Sequence, residues 1–249
     1  MDKALYVAMT GARASLQAQS TVSHNIANSD TPGFKEALAN TEAFRIQGPG
    51  YPSRIDAVHV DAGFNRGAGA LHVTGNALDL SLREGNWLAV QTRQGEEAYT
   101  RGGALQVTPN GQLVTAAGNA VLDDAGNPMA IPPYQAIEIG GDGTVSIVPQ
   151  GEGPQTMAMI GRVRVVTAPN EQLERGLDGL MRNTQPNQPF AMAQGKAMDS
   201  GVLEGSNVDA AGALVQMIQL QRQYEMQVKV IKHGDENAQS ANSLLRLNG

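Results

Sequence analysis

Residues 23–35 read SHNIANSDTPGFK, and this stretch marks the point where the N-terminal pattern of the chain ends. Upstream of it, seven positions recur at alternating spacings of four and three residues, and five of the seven are apolar. These positions are Leu5, Met9, Ala12, Leu16, Gln19, Ser23 and Ile26. The spacing predicts a helix with a narrow stripe of the coiled-coil kind. Because the residue before Pro32 disfavours helical backbone and Pro32-Gly33 favours a turn, we expect the helix to stop near Asn28.

The C-terminal segment has the same periodicity over a greater length. Ten positions repeat at spacings of three and four residues, and seven of the ten are apolar. They are Leu214, Met217, Gln221, Tyr224, Val228, Ile231, Asp235, Ala238, Asn242 and Leu245. Asn207 or Asp209 can cap the helix N-terminus, and no proline follows either residue. The pattern predicts a helix over residues 209–246, about 57 Å long at a rise of 1.5 Å per residue.

The two stripes could pair with each other as a helical hairpin within one chain. Seven buried seam residues would contribute on the order of 10–20 kcal/mol. Ordering the backbone costs roughly 1–2 kcal/mol per residue, so a helix pair of this kind is marginal. We therefore expect both ends to become fully ordered only when they pack among copies or homologous subunits.

The middle of the chain differs in composition from both ends. All twelve prolines lie between Pro32 and Pro189, and 25 of the 29 glycines lie between Gly33 and Gly205. Turn signals recur about every 8 to 12 residues, which indicates an antiparallel all-β domain. The tripeptide PNG at residues 109–111 is among the strongest of these signals. Residues 35–75 have few clear strands and many glycines, and we interpret them as an extended connector.

The expected fold class is α+β, with long N- and C-terminal helices that form a coiled-coil layer and a central antiparallel all-β domain. Both helices are expected to belong to one inner coiled-coil domain. The expected divisions are an N-terminal helix at 1–30, an extended connector at 31–75, the β domain at 76–195 and a C-terminal helix at 196–249.

Composition argues against several classes of function. The formal net charge of −6 disfavours a dedicated nucleic-acid or anionic-membrane binder. Cysteine is absent, which excludes disulfides, thiolate nucleophiles and cysteine-based zinc sites. No run approaches the roughly 18 to 20 apolar residues of a membrane span. The N-terminus is a poor secretory signal, so we expect the chain to be cytosolic or exported without a cleaved leader.

No catalytic constellation emerges from the sequence. The four histidines are scattered, and neither a GxSxG elbow nor a phosphate-binding GxxxxGK loop is present. The acidic pairs Glu96-Glu97 and Asp123-Asp124 are sequence neighbours, which on a strand point to opposite faces and make poor paired carboxylates. We therefore predict no enzymatic activity, no cofactor, no metal, no nucleic acid and no small-molecule substrate.

Three segments, in order along nearly the whole chain, resemble the flagellar rod and hook family of bacterial axial proteins. They are residues 23–35, residues 74–82 (TGNALDLSL) with 87–91 (WLAVQ) and 99–103 (YTRGG), and residues 200–208 (SGVLEGSNV) with 217–218 (MI) and 222–227 (RQYEMQ). The start MDKALY and the Trp87-Leu88 pair are most similar to the proximal rod members. Ala77 and Ser81 depart from the pattern, because relatives often have proline and alanine there.

The resemblance implies a structural protein without enzymatic activity. Members are exported unfolded through the flagellar type III apparatus without leader cleavage, and they polymerise into the periplasmic rod that transmits torque. Their terminal helices form a coiled-coil tube around the export channel, so the implied partners are copies of this chain and other proximal and distal rod subunits. A distal rod or other axial protein is the first alternative. A peptidoglycan-cleaving enzyme and a β-rich adhesin or phage fibre are the others.

The residues expected to carry assembly lie in the two predicted helices and in the segments that join them to the β domain. They are Leu5, Met9, Leu16, Asn25, Ile26, Asn28, Thr31, Pro32, Gly33, Phe34, Gly205, Ser206, Asn207, Leu214, Met217, Gln221, Arg222, Tyr224, Val228, Ile231 and Leu245. Residues 31–34 are expected to direct the chain out of the helical layer, with Phe34 as a packing anchor, or else to be a plain helix stop. Residues 205–207 are either an assembly motif or a turn and N-cap.

Overall fold

A computed structural model describes residues 2–45, 55–151, 153, 156–176, 178–185 and 187–247. Two compact units make up the chain. The helical unit comprises residues 1–29, 36–65 and 208–249, and the β unit comprises residues 30–35 and 66–207. The chain therefore passes between the units four times, after residues 29, 35, 65 and 207.

The helical unit contains two long helices and one hairpin. They are α1 (Asp2–Ala27), β1 (Ala37–Arg45), β2 (Ile55–Phe64) and α2 (Ala210–Leu247). Helix α1 contacts α2 and both hairpin strands. Both helices confirm the prediction from periodicity, and α1 ends at the residue before Asn28.

The β unit contains short strands and one turn of 3-10 helix at Asn170–Gln172. The strands are β3 (Leu71–Val73), β4 (Leu80–Leu82), β5 (Asn86–Gln91), β6 (Glu97–Thr100), β7 (Leu105–Val107), β8 (Leu113–Thr115), β9 (Ala120–Val121), β10 (Tyr134–Ile139), β11 (Thr144–Pro149), β12 (Ala158–Arg162), β13 (Val165–Thr167), β14 (Leu173–Arg175), β15 (Met181–Asn183), β16 (Ala191–Met192), β17 (Met198–Ser200) and β18 (Val202–Glu204).

Antiparallel pairing builds every sheet of the β unit. The main sheet has the order β14-β15-β6-β5-β9-β8-β7, with β13 pairing with both β5 and β16. Strands β10, β11 and β12 form a second sheet, and β4 with β17 and β3 with β18 form two-stranded ribbons. The predicted turn at residues 109–111 joins β7 to β8, and the Gly111 N–H donates to the Thr108 carbonyl at 2.8 Å. The α+β fold class with an antiparallel β region is confirmed.

The apolar core of the β unit lies among strands from all parts of it. Leu80, Leu88, Leu113 and Val163 retain no exposed surface. Burial of one such side chain contributes about 1.5–3 kcal/mol. Trp87, the single tryptophan of the chain, is 3% exposed on β5. Its fluorescence therefore reports on unfolding of the β unit alone.

The segment expected to be an extended connector contains a hairpin instead. Strands β1 and β2 pair antiparallel from Ala37 opposite Phe64 to Arg45 opposite Ile55. Most side chains of β1 are exposed and none is buried. A strand without a buried face needs no alternation of apolar and polar residues, and that alternation is the signal that predicts strands. The interpretation of this segment as a connector was therefore wrong for the hairpin.

Helix α1 buries a face of small side chains. Ala8, Ala12, Ser15, Ala18, Val22 and Asn25 are buried. Within the predicted stripe Ala12 is buried, but Met9 and Leu16 remain 49% and 48% exposed. Small side chains allow close helix approach, and the Ser15 hydroxyl donates to Gln227 Oε1 of α2 at 3.3 Å. The packed face is therefore not the stripe of larger apolar residues that the periodicity selected.

The less exposed face of α2 follows the predicted heptad period. One of its two heptad positions is as predicted, and the other lies one residue earlier. Met217, Tyr224, Ile231 and Ala238 belong to the predicted set and are half-buried. Four other predicted positions, Leu214, Gln221, Val228 and Asp235, are exposed, and the residue before each is buried or half-buried instead. The shifted position includes Gly234, where Leu5 Cδ1 of α1 lies 3.4 Å from the place of a Cβ. A pattern of large apolar residues does not predict such a position, because glycine contributes to helix packing through its small size.

Candidate assembly site

The segment after α1 forms a tight corner at residues 31–35, which belongs to the β unit. The Phe34 N–H donates to the Thr31 carbonyl at 3.2 Å, and the Gly33 N–H donates to the Glu204 carbonyl at 2.8 Å. Gly33 has a φ of +71°, and a Cβ there would lie 2.3 Å from the carbonyl carbon and oxygen of Arg101. Both the left-handed backbone and the lack of space require glycine at this position.

Phe34, the expected packing anchor, is half-buried and contacts other residues of the β unit. The Arg175 guanidinium lies over its ring, with the carbon 4.8 Å from the ring centroid. Arg175 Nη2 also donates to the Lys35 carbonyl, so one side chain from the end of β14 holds two consecutive residues of the corner. The Phe34 carbonyl accepts the Asn207 N–H at 3.3 Å. A plain helix stop would need none of these contacts.

Three buried charged residues meet at the end of the corner, and we call Lys35, Arg101 and Glu204 the Glu204 cluster. Their exposed fractions are 4%, 7% and 2%. Lys35 Nζ donates to Glu204 Oε1 at 2.7 Å, and Arg101 Nε donates to Glu204 Oε2 at 2.9 Å. The cluster therefore joins three positions that are far apart in the sequence around a single carboxylate.

Arg101 is held by main-chain carbonyls as well as by the carboxylate. Its Nη1 donates to the carbonyls of Arg83 and Asn86 at 3.1 and 3.0 Å, and its Nη2 donates to the Leu82 carbonyl at 2.7 Å. The guanidinium carbon lies 5.9 Å from the centroid of the Trp87 ring. The end of β4 and the start of β5 thus fix the cation that neutralises Glu204.

The electrostatics of the cluster follow from burial and pairing. Burial lowers the pKa of the Lys35 ammonium, and Glu204 opposes this shift without cancelling it. Burial alone would raise the pKa of Glu204, but Arg101, Lys35 and the Gly69 N–H together hold it below its ordinary value. Glu204 is therefore ionised at neutral pH, and its charge is compensated inside the protein.

The two chain segments of the β unit, residues 30–35 and 66–207, meet at the Glu204 cluster. Lys35 Nζ and Asn207 Nδ2 both donate to the Gly67 carbonyl, at 2.7 and 2.9 Å. The Gly69 N–H donates to Glu204 Oε1 at 3.0 Å, and the Gly205 N–H donates to the Ala70 carbonyl at 2.8 Å. Residues 205–207 are therefore part of this network.

The N-cap of α2 is Asp209, the second of the two predicted candidates. Its Oδ1 accepts the Ala211 N–H at 3.2 Å, and its carbonyl accepts the Ala213 N–H at 2.8 Å. Asp209 belongs to the helical unit, whereas Asn207 belongs to the β unit and bonds Gly67. Asp209 therefore caps α2, whereas Asn207 bonds within the β unit.

Two asparagines predicted as assembly residues have local roles at the end of α1. The buried Asn25 side chain pairs with the backbone of Ala37, donating to its carbonyl and accepting its N–H, each at 2.9 Å. Asn28 Nδ2 donates to the His24 carbonyl at 2.9 Å. Asn25 therefore fixes the start of the hairpin, and Asn28 bonds one of the last carbonyls of the helix.

The other predicted residues divide by exposure. Leu5, Ile26, Met217, Tyr224 and Ile231 are half-buried in the helical unit, whereas Met9, Leu16, Leu214, Gln221, Arg222 and Val228 are exposed. In the β unit, Pro32, Gly205 and Ser206 are half-buried and Thr31 is exposed. Leu245 lies within α2, and its side chain is outside the described residues, as is that of Asn242.

A cleft of about 600 Å³ lies among hairpin turns of the β unit. Thr92, Arg93, Gln94, Asn119, Asp178 and Arg182 line it. Arg182 donates to both oxygens of Asp178, at 2.8 and 2.9 Å, and this pairing lowers the pKa of that carboxyl. A general acid for glycoside cleavage needs a raised pKa, which is the opposite shift. Asp178 is therefore a poor candidate for that role.

Among the described residues, no group of three or more histidine, aspartate or glutamate side chains is arranged to hold a metal ion. Neither of the long helices, as far as they are described, has the length and apolar character that a membrane crossing needs.

Three family models match the chain in the same order as the three segments quoted above. They are "Flagella basal body rod protein" at residues 5–35, "Flagellar hook protein FlgE/F/G D1 domain" at residues 84–147 and "Flagellar basal body rod FlgEFG protein C-terminal" at residues 199–244. Lys35, Arg101 and Glu204 each fall within a different one of these regions.

Known proteins also match along the whole length. The flagellar basal-body rod protein FlgF of Escherichia coli (strain K12) is 40% identical over 99% of this chain and 100% of its own length. FlgF of Salmonella typhimurium is 38% identical with the same coverage. FlgG of Buchnera aphidicola subsp. Schizaphis graminum is 31% identical over 98% of this chain and 100% of its own length. The chain therefore belongs to the family of flagellar basal-body rod proteins.

Proposed function

We propose that this chain is a non-enzymatic subunit of the proximal rod, in the periplasm, and that it polymerises through α1 and α2. Its partners are copies of itself and other proximal and distal rod proteins, and its terminal helices form a coiled-coil layer around the export channel. The flagellar type III apparatus delivers the chain, and the assembled rod transmits torque. The full-length matches to FlgF of Escherichia coli and Salmonella typhimurium, at 40% and 38% identity, support the proximal position.

The observation that carries this proposal is the apolar surface that both helices leave exposed. On α1 it comprises Tyr6, Val7, Met9 and Leu16, and on α2 it comprises Leu214, Val215, Ile218, Met226, Val228 and Val230. Large apolar side chains exposed in this number on two helices are typical of interaction sites in soluble proteins. Packing among neighbouring subunits would remove it from water and contribute about 25 cal/mol for each Å² buried. These side chains are therefore exposed in the single chain and would be buried in a polymer.

Polar substitution on the exposed face of α2 tests this proposal. Met226 and Val230 are 60% and 53% exposed and lie four residues apart, on one face of the helix. The double variant Met226→Gln/Val230→Gln is expected to abolish rod assembly and swimming when it replaces the native chain. Its thermal unfolding should stay nearly unchanged, because more than half of each residue's surface is already exposed in the single chain.

The matched control is Glu225→Gln/Lys229→Gln, a pair of exposed residues with the same spacing on the same helix. It keeps the net charge and is expected to swim normally. Rod assembly is measured by electron microscopy of isolated basal bodies. Wild-type swimming of the Met226→Gln/Val230→Gln strain would contradict assembly through this face of α2.

A further inference from the structure

Lys35 lies where the first and last parts of the β unit meet. It ends the short segment at residues 30–35, and its partner Glu204 is 169 residues further along the chain. The ammonium is 4% exposed and also donates to the Gly67 carbonyl at 2.7 Å. One side chain thus connects the corner to both ends of the longer segment.

The charge of Lys35 is not needed to balance Glu204. Arg101 by itself supplies one positive charge and two hydrogen bonds to Glu204 Oε2. The ammonium is therefore a second buried cation beside one buried carboxylate, and the other carboxylate whose charge favours it, Glu84, is exposed. A buried charge that exceeds the local balance is costly in desolvation, so stability alone gives no reason for its presence.

The hydrogen-bond partners of Lys35 would also remain satisfied without it. Glu204 Oε1 keeps the Gly69 N–H at 3.0 Å, and the Gly67 carbonyl keeps Asn207 Nδ2 at 2.9 Å. Replacement of Lys35 by an apolar side chain of similar length therefore leaves no partner atom orphaned. The cost of an unsatisfied buried polar group does not arise.

Backbone hydrogen bonds and the bond from Lys35 join the corner to residues 204–207. The backbone bonds are Gly33 N–H to the Glu204 carbonyl at 2.8 Å and Asn207 N–H to the Phe34 carbonyl at 3.3 Å. The bond from Lys35 to Glu204 is charge-assisted, and such bonds are about twice as strong as neutral ones. Its loss would affect the conformation of the corner before it affects the core.

We propose that Lys35 is a positioning residue, whose ammonium holds the corner at residues 31–35 against residues 204–207 and contributes little to the stability of the β unit. A role of Lys35 in assembly rests on the proposed function, because a corner held in one conformation would keep the subunit in the form that adds to the rod. The effect of Lys35 on the conformation of the corner is a property of the single chain and does not depend on the rod.

Lys35→Met in the purified full-length chain tests whether Lys35 holds the corner against residues 204–207. Amide exchange at Gly33 and Asn207 is expected to become about tenfold faster or more, which corresponds to the loss of one charge-assisted bond. Exchange in β5 and β13 should stay unchanged, and the thermal midpoint followed by Trp87 fluorescence should be unchanged or raised. The control is Lys196→Met, because Lys196 is 56% exposed in the same unit and pairs with Asp199. It should leave exchange at both amides as in the native chain.

Three results would overturn the proposal. They are unchanged exchange at Gly33 and Asn207, faster exchange across the core with a lower midpoint, and failure of Lys35→Met to fold. Swimming separates this proposal from the function itself. If Lys35→Met swims normally while Met226→Gln/Val230→Gln does not, the assembly role of Lys35 is wrong and the rod function stands. If both swim normally, the rod function proposed for α2 fails, whatever the exchange data show.

Discussion

Gly33→Ala is expected to lower the free energy of unfolding of the β unit by about 3–5 kcal/mol and to abolish swimming. Two effects add at this position. Alanine at a φ of +71° is strained, and its Cβ would lie 2.3 Å from the Arg101 carbonyl group and 2.5 Å from the Gly102 nitrogen. These neighbours are backbone atoms, so they cannot rotate away as a side chain could. Urea unfolding followed by Trp87 fluorescence measures the loss.

Gly75→Ala is the matched control for Gly33→Ala. Gly75 has a φ of +72°, and nothing lies within 4 Å of the place of its Cβ. Its replacement should cost only the left-handed strain, about 1–2 kcal/mol. The difference between the two variants isolates the close approach of the corner to Arg101. Equal losses would show that this approach does not matter, and the account of the corner would then be wrong.

Glu204→Gln is expected to destabilise the β unit by a similar amount, about 3–5 kcal/mol. The substitution keeps the size of the side chain but leaves Lys35 and Arg101 buried without a counter-charge. One carboxylate oxygen also becomes an amide nitrogen that faces donors. Glu96→Gln is the control, because Glu96 is 63% exposed and its Arg182 partner is 3.9 Å away. An exposed pair of this kind contributes at most about 1 kcal/mol, and the same urea titration compares the two variants.

The pH dependence of stability gives a second readout for Glu204. Because its pKa is lower in the folded chain than in the unfolded chain, the unfolded chain binds the proton first as the pH falls. The stabilisation is therefore fully present above the ordinary value of 4.5 and is lost as the pH falls below it toward the folded pKa. Unfolding free energy should fall less steeply with acid in Glu204→Gln. Some slope should remain, because the pKa values of Asp142 and Asp178 are lowered as well. Identical slopes in both chains would contradict the ionised state assigned to Glu204.

Periodicity predicted both helices because a heptad repeat is a local property of the sequence. It placed Met217, Tyr224 and Ile231 correctly on the packed side of α2. It predicted Val228 as a packed residue because Val228 is apolar, whereas the structure packs the neighbouring Gln227. Close helix approach favours small or adaptable side chains instead, and a single sequence does not state which face the partner helix will meet.

The corner was predictable in part. Pro32 and Gly33 mark it by their backbone preferences, and both were identified from the sequence. The Glu204 cluster was not identified, although each of its members lies within one of the three quoted segments. Lys35 and Arg101 are 169 and 103 residues from Glu204, and only the tertiary fold brings them together. A charged residue within an otherwise apolar or small-residue stretch is the one local signal that these positions carry.

Electron cryo-microscopy of isolated basal bodies can test the position of this chain and the packing of both helices in one reconstruction. We expect this chain to lie in the proximal rod, with α1 and α2 in the layer that surrounds the channel. Met9, Leu16, Met226 and Val230, which are exposed in the single chain, should be buried against neighbouring subunits. A map in which these four side chains face solvent, or in which this chain is absent from the rod, would contradict this expectation.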